Sequence, residues 1–129
     1  MPSQDASEGL AGLLQWSEPI IVDRLYEAYR VHIREFMLAR SLARLHAKVW
    51  RALIRGDMAQ FEAMREGLVV ALGHCSLTLD DLAATDNAIM AELLDVVMAR
   101  FQRSQRTAKV YHLALIELAV RRAASRAAA

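Results

Sequence analysis

Gly67-Leu68-Val69-Val70-Ala71-Leu72-Gly73-His74-Cys75 is the stretch whose reading decides the fold, because it holds no charged residue. It closes a predicted helix from Met58 to about Cys75. One stripe of that helix, Phe61, Met64, Leu68, Leu72 and Cys75, recurs every three or four residues and reads as an ordinary core face. A second face, Gly67, Val70, Ala71 and His74, lies at helical spacing on another side. A helix apolar all round must be covered all round. The cover can be another helix, a second subunit or a flat apolar ligand. Gly67 leaves room for the edge of a planar ring, and His74 offers an imidazole nitrogen to a metal. The bland alternative is that His74 is a capping or hydrogen-bonded residue at a helix end.

Working outward, the other helices are punctuated by turn and cap signals. A short helix over Ser7–Gln15 is weakened by Gly9 and Gly12. Ser17-Glu18-Pro19 starts the next, with Ser17 as cap and Pro19 in the first turn. It carries Ile20, Ile21, Leu25, Tyr29, Ile33 and Phe36. A bend is expected around Met37–Arg40, then a helix to about Arg55 bearing Leu42, Leu45, Val49, Trp50 and Leu53. Gly56-Asp57 is a stop followed by a new cap. Thr78-Leu79-Asp80-Asp81 reads as a capping box with Asp in its last place. A break near Arg103–Thr107 and a final helix over Ala108–Ala124 complete an all-α chain.

Composition fits that class. The 129 residues amount to one domain, 1–129, with 1–16 as a poorly defined N-terminal segment. Hydrophobic residues make up 55%, enough for a core, while 5 Gly and 2 Pro leave little turn chemistry for a many-stranded fold. Sixteen Lys+Arg against fifteen Asp+Glu argue against a nucleic-acid partner. The single Cys fits a reducing cytoplasm. The lack of an apolar run of about 18 residues excludes a spanning helix, and no membrane partner is expected. Charge is segregated: no Lys or Arg falls between Arg65 and Arg100, whereas from Arg100 to Arg126 the only acid is Glu117. Neither a Gly-rich phosphate loop nor a Cys/His cluster is present, so no enzyme is expected.

Three stretches together resemble the sensor-globin family, the haem domains of globin-coupled sensors and their single-domain relatives. Ile21-Val22-Asp23-Arg24-Leu25-Tyr26 resembles the family's early helix. Leu42 to Gly56, closing on Leu53-Ile54-Arg55-Gly56, resembles its distal helix. His74-Cys75-Ser76-Leu77-Thr78-Leu79 resembles the segment that begins with the proximal histidine. The likeness spans about residues 18–122 and rests on order and spacing. It implies a globin-like fold dimerising through its last two helices. It also implies a haem cofactor, a diatomic gas such as oxygen as ligand, and a separate signalling partner. His74 would ligate the iron and Tyr26 would donate a hydrogen bond to bound gas. Leu42 and Leu45 would line the distal pocket. His46 stands where the family more often has an apolar residue; were it to face inward, it could hydrogen-bond bound oxygen or ligate the iron, and the second face of the Phe61–Cys75 helix, with Gly67 and Val70, would cover a bound haem.

The departures from the family pattern support an alternative. Thr78, Ser76 and Ala83-Ala84 replace its usual residues, and the stretch from Tyr26 to Leu42 is short. They fit a haem-free globin-like sensor or interaction module, dimeric, that takes another apolar ligand or none. A third reading is a plain helical bundle, which requires near-parallel helices.

Overall fold

A computed structural model describes residues 3–128. The domain read as 1–129 extends to residues 1, 2 and 129, which lie outside the described residues. Six α-helices follow one another, with one 3-10 turn and no strand among the described residues: α1 (Gln4–Trp16), α2 (Glu18–His32), α3 (Phe36–Arg55), α4 (Met58–His74), the turn Leu79–Leu82, α5 (Ala83–Phe101) and α6 (Gln105–Ala128). The all-α expectation therefore holds. No single helix is long and apolar enough to cross a membrane among these residues.

The strongest departure is at the start of the chain. Instead of a short, weak helix, α1 runs for 13 residues, capped by the Ser3 hydroxyl, which accepts from Ala6 N–H at 3.1 Å. Its glycines are a contact surface rather than a break. A Cβ on Gly9 would stand 2.4 Å from the Val110 carbonyl oxygen and 2.7 Å from Ala114 Cβ. Bare glycine thus lets α1 lie against α6 at backbone distance. Trp16 extends the same seam: its indole N–H donates to the Tyr111 hydroxyl at 3.1 Å, and Phe101 stacks on Tyr111 at 4.6 Å between centroids.

Ser17 does not cap α2. Its backbone is helical (φ −81°, ψ −24°), so its side chain is not turned back over the first turn, and its N–H continues the α1 ladder to Leu13 O at 2.9 Å. Pro19 occupies the first turn as expected. The bend placed at Met37–Arg40 falls earlier, at residues 33–35. Ile33 is extended, and the Glu35 carboxylate caps α3 by accepting from the N–H groups of Met37 and Leu38. A carboxylate over the first turn satisfies two orphan donors at once, which fixes the start of α3 there.

At the other end of α3, Gly56 takes φ +77°, a conformation that favours glycine. Arg121 of α6 completes this stop by donating to the carbonyls of Leu53 and Ile54 at 2.8 and 2.9 Å. Asp57 then caps α4 through Gln60 N–H. The expected box at Thr78 is present, with Asp81 accepting from Thr78 N–H at 2.8 Å and from its hydroxyl at 3.1 Å. Those bonds hold the Asp81 carboxyl below its ordinary range.

The packing places α3 centrally. It lies against α2, α4, α1 and α6, and it contributes ten buried residues. Between α4 and the Leu79–Phe101 segment the chain turns by 98°. These consecutive helices are not the antiparallel neighbours of an up-and-down bundle.

Candidate functional site

His46 is buried on the inner face of α3 at 3% exposure, one of two buried polar residues, with Ser17, among the described residues. Its Nδ1 lies 2.9 Å from the Tyr29 hydroxyl on α2, and its Nε2 lies 3.1 Å from Asp86 Oδ1 on α5. Trp50, one turn along α3, donates its indole N–H to the same oxygen at 2.9 Å. A carboxylate can only accept, so Nε2–H donates to Asp86, and the ring's tautomer sets which partner donates in the bond between Nδ1 and the Tyr29 hydroxyl. Burial, with the Asp86 charge nearby, pushes the Tyr29 phenol well above its ordinary value, so it keeps its proton. The chain Tyr29–His46–Asp86–Trp50 therefore ties α2, α3 and α5 with every member paired.

A cavity of about 160 Å³ opens beside this chain. Its wall is apolar along Val49, Leu53, Phe61 and Leu68, and polar at His46, Asp86, Arg65 and Arg122. Arg122 lies over the Trp50 ring, its Cζ 5.4 Å from the centroid, and donates to Asn87 Oδ1 at 3.2 Å.

The residues singled out from the sequence divide into two groups. Leu42 and His46 are buried, and Tyr26 and Leu45 are half-buried, all on α2 and α3. Tyr26 meets Phe36 edge-on at 5.8 Å. His74, Gly67 and Val70 are exposed on α4, and nothing lies within 4 Å of a Cβ built on Gly67. Of the seven, His46 alone lines the cavity. The cause is helical phase: the Phe61–Leu68–Leu72 stripe of α4 turns toward α3, and Gly67, Val70 and His74 lie on the far side, which no element among the described residues covers. An enclosed haem does not fit these residues as they stand. The axial candidate His74 faces solvent, His46 uses both nitrogens, and the cavity is smaller than the ~300 Å³ at which cofactor-sized pockets begin.

Tyr29, Trp50 and Asp86 are the members of the site that the sequence reading did not assign. A signal existed. His46 and Trp50 are one turn apart on a buried stripe, and their N–H donors demand an acceptor. Asp86 lies in the stretch without Lys or Arg, so its partner had to come from elsewhere.

Comparison with family models, with curated proteins and with solved structures finds no match to this chain.

Proposed function

We propose that the chain is a haem-free helical sensor or interaction module that acts as a homodimer through α5 and α6 and passes its signal to a separate partner. The observation that carries this reading is an exposed apolar stripe on each of these two packed helices. On α5 it runs through Ala84, Ala88, Ala91, Leu94 and Met98, and on α6 through Ile116, Ala119, Val120 and Ala123. Small residues let backbones approach, and the four large ones are the side chains a partner would bury. A two-fold axis pairs the same patch with itself. In such a pairing the exposed Asp95 of α5 can meet the exposed Arg106 and Lys109 of the partner's α6. The cavity beside His46 then serves as the site for a small apolar molecule whose polar end meets Asp86 or Arg65.

Sedimentation velocity tests this reading. The wild type is expected to sediment as a dimer. Leu94→Asp with Ile116→Asp is expected to give a folded monomer, whereas Val70→Asp on α4 leaves the dimer intact. A wild-type monomer at high concentration contradicts the proposal. Haem titration supplies a second arm: a Soret band that His74→Ala removes would establish the haem-based gas sensor instead.

A further inference from the structure

We infer that the corner between α2 and α3 is a contact surface for an anionic lipid bilayer. Residues 30–44 carry four arginines, Arg30, Arg34, Arg40 and Arg44, against one acid, Glu35, in a chain whose net charge is only +1. The Glu35 carboxylate is already engaged at the start of α3. All four arginines are exposed.

Between and beside them the corner holds four large apolar side chains out in solvent: Val31 at 81% exposure, Met37 at 62%, Phe36 at 46% and Leu38 at 41%. The corner that carries them is tied in place. Ile33 plugs the corner from inside, Arg30 Nη1 donates to the Arg34 carbonyl at 2.7 Å, and Tyr26 fixes the Phe36 ring from one edge. Met37, Arg40 and Arg44 share one helical face, so apolar and cationic groups are presented together. The nearest acids along α2 are Glu27 and Asp23, set back from the tip by one and two turns; Asp23 lines a groove with Arg44, so Arg30, Arg34 and Arg40 carry the charge at the tip itself.

The four apolar side chains stand well out in solvent. Peptide helices and strands, by contrast, are commonly taken up in a groove or at an open edge. A bilayer instead admits a protruding apolar wedge beneath its headgroups while anionic lipids meet the flanking cations. No spanning helix is needed for this contact, and the proposal does not depend on the α5–α6 dimer.

Co-sedimentation with vesicles tests it, using phosphatidylcholine alone and phosphatidylcholine mixed with phosphatidylserine. The full chain is expected to bind the mixed vesicles, weaken with added salt, and ignore phosphatidylcholine. Arg34→Glu with Arg40→Glu is expected to lower the partition at least about tenfold. Met37→Asp is expected to lower it without changing the helical circular dichroism, and Val70→Asp is expected to bind like the wild type. Failure of the wild type to bind mixed vesicles overturns the inference, as does undiminished binding by the corner variants. Binding of an acidic polypeptide at the same arginines without vesicle binding overturns it in favour of a protein partner.

Discussion

The Tyr29 hydroxyl on α2 lies 2.9 Å from Nδ1 of His46 on α3, and through His46 it is coupled to Asp86 on α5. Three helices are thus joined by one buried polar chain whose acceptor end is Asp86. Asp86→Ala leaves the N–H groups of His46 and Trp50 without an acceptor. Each buried unpaired donor costs about 1–3 kcal/mol, so the expected loss is roughly 3 kcal/mol in urea unfolding. A loss below about 0.5 kcal/mol would show that water replaces the carboxylate without penalty.

Alkaline pH acts through Tyr29. Burial raises its phenol above the ordinary 10.0, so the unfolded chain ionises first. The stabilisation from this group is therefore complete below about pH 10 and is lost as pH rises toward the folded value. Tyr29→Phe is expected to be less stable at neutral pH, by about 1 kcal/mol, but to lose stability less steeply above about pH 10. Unfolding midpoints measured across that range check it, and parallel slopes for the two proteins would refute it.

The α1–α6 seam makes a steric prediction. Gly9→Ala drives a methyl against the Val110 carbonyl oxygen, and backbone cannot swing aside as a flexible side chain can. A destabilisation of about 1–3 kcal/mol is expected, with α1 amides losing hydrogen-exchange protection first. Gly67→Ala on open α4 is expected to be neutral or stabilising, since alanine is the better helix former.

Arg121 closes the end of α3 from a distance. Its side chain is largely buried, pairs with Glu117 at 3.2 Å and donates to two terminal carbonyls. Arg121→Ala is expected to cost about 2 kcal/mol in thermal or urea unfolding, and Arg121→Lys to restore part of it. Equal losses in both variants would show that the planar fork, not the charge, is what the turn requires.

The helices were legible in the sequence wherever the punctuation is local. Pro19, Gly56-Asp57 and Thr78 to Asp81 each act within one turn of where they stand, and the structure places boundaries at all three. Tertiary facts were less legible. Gly9 looks like a weak helix former until α6 is laid against it. His46 reads as an exposed or ligating residue until Asp86, forty residues on, supplies its acceptor. Periodicity gave α4 two apolar faces but does not say which side the rest of the chain covers. That choice set Phe61 and Leu68 inward and left Gly67, Val70 and His74 outside.

The claim that α5 and α6 form a self-pairing face is tested most directly by engineered crosslinking. Cys75 is the sole native cysteine, so Cys75→Ser provides a clean background. In that background Ile116→Cys or Val120→Cys is expected to give a covalent dimer of twice 14.4 kDa on mild oxidation, while Val70→Cys stays monomeric. Crosslinking through Val70→Cys alone, or none at either α6 position, would contradict the account.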